Sequence, residues 1–178
     1  MSVLGKARVT GAPFFRRRRE TPLLVLRGGL LLLTLTIASP TTAKVRISSL
    51  SDVNFGAISN LTIDAIQAQS ICVYSNGSNN GYSIRADGSG SGGAFTLSNG
   101  VTTMAYTVRW HNQAGQSNGT VLTTSALLSA QTTTAQNQTC SSGAPTTASL
   151  IVTLPATSLS SAGAGNYGGT LTLIVAEE

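Results

Sequence analysis

An antiparallel β-sandwich is the fold class the sequence predicts, and three observations predict it. From Lys44 onward apolar residues recur at every second position in short runs, Gly, Ser, Thr and Asn punctuate those runs densely, and almost nothing carries the 3.6-residue spacing of a helix. Short strands joined by polar turns bury enough surface only when two sheets face each other.

Taken in order, Val45 and Ile47 begin a first short strand, and Val53 to Ile58 form a second with Phe55 and Ile58 as core candidates. Between Leu61 and Val73 the alternation changes phase on the way to Cys72, which predicts a bulge or a switch between sheets. Ser75 to Gly81 is a turn on chemistry alone, because Asn and Gly tolerate positive φ. Tyr82, Ile84 and Ala86 resume a strand, and Asp87 to Gly93 reads as a hairpin loop before Phe95 and Leu97.

Met104, Tyr106, Val108 and Trp110 then alternate with Thr103, Ala105, Thr107 and Arg109, the pattern of one central strand with one wet face. Asn112 to Gly119 turns the chain, Val121 and Leu122 begin the return, and residues 129–147 read as a long polar connection tied down at Cys140. Leu150, Val152 and Leu154 end at Pro155, as suits a strand terminus. After a small, polar stretch, Gly168 and Gly169 mark a turn into a last strand carrying Leu171, Leu173 and Val175. Seven or eight strands over about 135 residues, with Phe55, Tyr82, Phe95, Met104, Tyr106, Trp110, Leu150, Val152 and Leu173 inward, suit an immunoglobulin-like sandwich, with a closed barrel as the alternative.

The net charge of +5 is misleading. Seven of the eleven Lys and Arg precede residue 44, whereas four cations and five carboxylates lie from residue 44 onward, so the folded region is close to neutral and a nucleic-acid partner is not indicated. Residues 1–43 have the three parts of an export signal: a basic leader, the apolar run Gly29 to Ala38, and small residues ending at Ala43, after which cleavage is expected. The apolar run is well short of the roughly 20 residues a membrane span needs. Cys72 and Cys140, in a chain bound for an oxidising compartment, are expected to form a disulfide.

Enzymatic constellations are nearly absent. His111 is the sole histidine and sits at a strand end beside Trp110, no Gly-x-Ser-x-Gly elbow is present, and neither paired carboxylates nor a cluster of metal ligands stands out. The Gly-rich stretch at 87–93 lacks the Gly-Lys-Ser/Thr ending of a phosphate cradle. The expectation is a non-enzymatic protein without a cofactor. A self-contained secreted module, whose loops bind a carbohydrate or a surface ligand, is the alternative to a structural subunit.

Val53-Asn54-Phe55-Gly56, Cys72-Val73, Met104-Ala105-Tyr106-Thr107-Val108 and the ending Ala164-Gly165-Asn166-Tyr167-Gly168-Gly169-Thr170-Leu171-Thr172-Leu173-Ile174-Val175 together resemble the spore coat protein U domain. The resemblance covers residues 44–178, and its most specific part is the Gly-x-Tyr-x-x-Thr-Leu-Thr-Leu ending. Members of that family look like pilins of archaic chaperone-usher pili in Gram-negative bacteria. What the resemblance implies is an incomplete sandwich lacking its last strand. A periplasmic pilus chaperone would lend a strand beside Tyr167, Leu171, Leu173 and Val175, and a neighbouring pilin subunit would replace it during assembly at an outer-membrane usher. The product would be exported through the periplasm to a fimbrium at the cell surface. Polymerising subunits carry an extension before the first strand, yet only Lys44 to Asp52 precede Val53 here. Either this segment is the donor, or it belongs to the domain and the subunit accepts a strand without giving one, as a tip subunit does.

Overall fold

The computed structural model describes the backbone of Ser2–Val9 and the whole of residues 44–178; the apolar run of the expected export signal and its cleavage site at Ala43 lie outside the described residues. Among the described residues, alternating apolar residues build twelve strands in chain order: β1 (Ser2–Val9), β2 (Val45–Ser48), β3 (Val53–Ala57), β4 (Ala65–Ser75), β5 (Gly81–Gly88), β6 (Thr96–Ser98), β7 (Thr103–Ala105), β8 (Thr107–His111), β9 (Thr120–Val121), β10 (Leu127–Thr132), β11 (Ala148–Leu154) and β12 (Asn166–Glu177). One helix of six residues, α1 (Ala156–Ser161), links β11 to β12. No helix among the described residues is long and apolar enough to cross a membrane.

These strands form the expected two-sheet sandwich. The first sheet runs β10-β5-β12-β1-β3, with β6 against β12 and β7 against β6, and the second runs β2-β4-β11-β8-β9. Every pairing is antiparallel except that of β1 with β12. Between the sheets lies one core built from Ile71, Val73, Tyr82, Ile84, Trp110, Leu150, Val152, Leu154, Tyr167 and Leu173 among others. At its centre Trp110 Nε1 donates to Tyr82 Oη at 3.1 Å, with the two rings edge to face. Of the predicted core residues, Phe55 and Phe95 are only partly buried and pack from its margin.

Several local expectations are corrected. Met104 to Trp110 is not one strand: β7 pairs with β6 in the first sheet and β8 with β11 in the second, and the chain crosses between them at Tyr106. Met104, Tyr106, Val108 and Trp110 all remain buried, because a segment passing from sheet to sheet along the core edge keeps one face inward throughout. The phase change between Leu61 and Val73 has neither a bulge nor a switch behind it. Leu61 and Ile63 precede β4, whose pairing with β11 is continuous from Ala65↔Leu154 to Ile71↔Ala148, while Ile66 faces solvent.

Asp87 to Gly93 is not a hairpin loop either. β5 and β6 both lie against β12, Gly88 opposite Leu171 and Ser98 opposite Gly168, so residues 89–95 are an excursion from one interrupted strand. Gly88 permits this, since a Cβ there would stand 2.2 Å from the Ala94 carbonyl oxygen. Residues 129–132 belong to β10 and shorten the polar connection to 133–147, and the stretch after Pro155 contains α1.

Cys72 and Cys140 are joined by a disulfide. Together with Ala135 and Tyr74 they form a small apolar cluster apart from the main core, on the outer side of β4. Thr133 Oγ1 donates to the Val73 carbonyl, which also accepts from Thr147 Oγ1 at 3.0 Å, so both ends of the connection are sewn to the same strand. The loop after β8 lies against part of the second sheet's outer side. Gly115 N donates to Ser70 Oγ at 2.8 Å and Gln116 N to Ser149 Oγ at 3.0 Å, beside Ile151, which is fully buried.

The disulfide spans 68 residues, and closing a loop of that length removes unfolded-chain entropy worth roughly 4 kcal/mol. Replacing both cysteines by serine is therefore expected to lower the unfolding free energy of the full chain by about 2–4 kcal/mol in urea titrations, and to abolish its sensitivity to reductant. Burial pushes the Tyr82 phenol up to about 12 against a weaker opposing pull from the Trp110 hydrogen bond, and burial does the same to Tyr106. An unfolded tyrosine ionises near pH 10. The folded state thus holds these protons after the unfolded state has lost them, so stability is complete below about pH 10 and declines as the pH rises towards 12. Melting temperatures between pH 9 and 12 should fall along this course, and less steeply in Tyr106→Phe; an unchanged slope in that variant contradicts the assignment.

Candidate docking site

The last strand is twelve residues long and alternates strictly over its core-facing half. Tyr167, Leu171 and Leu173 are buried, while Val175 is half-buried and packs against the core from its edge. One side of β12 is fully engaged within the domain: β5 pairs with Leu171 to Glu177, and β6 meets it at Gly168. Gly168 and Gly169 therefore do not form the turn expected of them; they lie inside the strand. Gly169 is needed for close approach, because a Cβ there would meet Thr96 O at 2.9 Å and Leu97 Cδ2 and Ser89 Oγ at 3.0 Å.

The strand's entry is fixed by Tyr167. Its hydroxyl donates to the Gly163 carbonyl four residues upstream at 3.1 Å and lies 2.7 Å from Thr102 Oγ1. A tyrosine that ties the start of such a strand back to the preceding corner is a recurrent device of immunoglobulin-like sandwiches.

The opposite side of β12 does not meet another strand of residues 44–178. It meets β1, which runs parallel to it in the continuous register Ser2↔Asn166 through Val9↔Leu173. Beyond β1 lies β3, paired antiparallel from Ser2↔Ala57 to Gly5↔Val53. β12 and β3 are thus two strand spacings apart, about 10 Å, and the strand between them comes from the leader region.

The wall formed by β3 has its own local construction. Gly56 has φ +63°, its N–H is held by Asn54 Oδ1 at 2.8 Å, and the register against β1 slips between Val3↔Gly56 and Leu4↔Asn54. That slip is a bulge at Phe55, made possible by a glycine in the left-handed region and stabilised by the asparagine side chain. Val53 is buried against the core and Phe55 packs on its margin. Sequence reasoning named only the β12 side; the alternation of Val53 and Phe55 was visible, but which strand faced β12 across the gap was not.

The short segment before Val53 is also placed. Val45–Ser48 pairs with Cys72–Ser75 of the same domain, and Ile47 is buried. Three other titratable side chains hold local structure. Asp64 Oδ1 accepts from Ala156 N at the start of α1 at 2.8 Å, Asp87 Oδ1 accepts from Ser125 Oγ at 2.7 Å, and Gln113 N donates to His111 Nδ1 at 3.1 Å. Among the described residues no group of three or more His, Cys, Asp or Glu could hold a metal ion.

No protein-family model matches the chain, and no curated protein matches it. Among solved structures the chain is similar to one from work on a chaperone-tip adhesin complex in CFA/I fimbriae biogenesis, with 17% identity and a TM-score of 0.47. The match covers 76% of this chain and 41% of the other, so this chain spans about two fifths of that chain's length.

Substituting Gly169 by alanine should push β6 and Ser89 away from β12 and cost about 1–3 kcal/mol, the usual penalty for overpacking a site that cannot yield. Urea denaturation of the full chain measures this, and a variant as stable as the parent would show that β6 moves freely.

Proposed function

We propose that residues 1–43 are an export signal and that residues 44–178 are a pilin-like subunit of a chaperone-usher fibre, completed by a strand from another molecule. The observation that carries this reading is the position between β12 and β3, which only residues from before Ala43 fill. Cleavage there leaves two facing backbone edges above the core row of Tyr167, Leu171 and Leu173. Edges of that kind accept an added strand through main-chain hydrogen bonds, with alternate side chains setting the register.

In this reading a periplasmic chaperone occupies the gap first, and a neighbouring pilin subunit takes its place at the outer-membrane usher, as in the spore coat protein U domain family. Tyr167, Leu171, Leu173 and Val175 form one wall of the docking site; Val53 and Phe55 form the other. The pairing of Val45–Ser48 with β4 supports a subunit that receives a strand without offering one, which is the role of a tip subunit. The disulfide suits passage through an oxidising compartment.

The test is the behaviour of residues 44–178 alone. Produced in the periplasm without partners, this domain is expected to aggregate or to melt without a cooperative transition; co-produced with a pilus chaperone it should co-purify as a one-to-one complex. A monomeric domain that unfolds cooperatively on its own would overturn the reading in favour of a self-contained binding module.

A further inference from the structure

Resting on that reading of the groove, we propose that the uncleaved chain is its own first donor: Ser2–Val9 plugs the gap between β12 and β3, and removal of the leader is what opens it. The export-signal interpretation accounts for Lys6 and Arg8 as part of a basic leader, but not for the strand they belong to. Ser2, Leu4, Lys6 and Arg8 alternate with Val3, Gly5, Ala7 and Val9, a period-two pattern unlike a simple basic run. Val3, Gly5, Ala7 and Val9 occupy the register positions opposite Tyr167, Gly169, Leu171 and Leu173.

Two further observations favour a plug over an incidental contact. Eight consecutive residues pair with β12 while four of the same residues pair with β3, so the segment satisfies both open edges at once. Its composition also makes it displaceable. Gly5 and Ala7, at the middle of the segment, bring little apolar surface, and parallel pairing is slightly weaker per residue than antiparallel. A partner strand with larger apolar residues at those positions would outcompete it once the covalent link is cut, because the link alone keeps its effective concentration high.

The experiment uses the full chain of 178 residues, the same chain lacking Ser2–Val9, and the full chain carrying Ala7→Asp. The probe is a fluorescent synthetic peptide with the sequence of Ser2–Val9, and the second readout is amide hydrogen exchange of residues 166–173. The intact chain is expected to bind the peptide at least tenfold more weakly than the deleted chain and to protect those amides at least tenfold better. Ala7→Asp should move both readouts towards the deleted chain, which keeps the test valid if the deletion alone misfolds. Equal peptide binding and equal protection in all three chains, with the peptide bound, would overturn the plug while leaving the open groove intact. A deleted chain that refuses the peptide and still protects residues 166–173 would overturn both the plug and the donor-strand reading.

Discussion

The constraint on which this structure depends is that β12 cannot stand at an edge. Tyr167, Leu171 and Leu173 reach into the core from one face of the strand, and on the side away from β5 its backbone groups meet nothing from residues 44–178. Unpaired donors and acceptors over an apolar core must be matched by another backbone or by water, and water there would also reach the core. The other edges of the sandwich are blunted locally. β10 carries a register slip with Ala130 at φ +57°, and its amide is taken up by Glu178 Oε2 at 2.8 Å. β9 is two residues long, and Gln69 turns its side chain onto Ser51 beside β4. Such protection is what isolated sandwiches use against edge-to-edge association. Between β12 and β3 the backbone edges are covered instead by β1.

The beginning of the domain shows why β3 does not reach β12. Val45–Ser48 pairs with β4 in the second sheet, Ser49 takes φ +62°, and by Val53 the chain has crossed to the first sheet. In an ordinary sandwich a strand arriving there would pair with the last one. Here β3 stops one strand short, and the bulge set by Asn54 and Gly56 bends it. The Val-Asn-Phe-Gly sequence therefore has a physical role: two apolar positions for the core, and an asparagine-glycine pair that shapes the wall of the gap.

The fold class was legible because alternation survives every complication of topology. Met104 to Trp110 keeps its inward face even while changing sheets, so its burial was predictable and its division into two strands was not. Residues 89–95 carry ordinary loop chemistry; only the pairing of Gly88 and Ser98 with the same strand reveals an excursion from one edge. Gly168 and Gly169 illustrate a general ambiguity, since glycine serves both turns and close packing, and the deciding fact, the nearness of Thr96 and Leu97, is tertiary. The helix after Pro155 was hidden because its residues are small and only Leu159 is buried. The burial of Tyr167, Leu171 and Leu173 in β12 was readable from its alternation, whereas the placement of β3 two strands away depends on a sheet order that no local pattern encodes.

The two walls of the gap are not equivalent, and the difference bears on how a strand enters. β12 is held independently of any occupant: β5 along its second half, β6 at Gly168, and the Tyr167 hydroxyl bound to Gly163 and close to Thr102. It is an ordered template, so an entering strand loses its own conformational freedom without first having to organise β12. β3 is five residues long and, among the described residues, pairs within its sheet with β1 alone. Remove that partner and the placement of β3 rests on Val53, on Phe55 and on the short crossing from β2. On the proposed function, an incoming strand would dock first on the rigid side and then draw the other against it. Tyr167, Leu171 and Leu173 would set its register, and the final stability would depend on how well the occupant also satisfies β3.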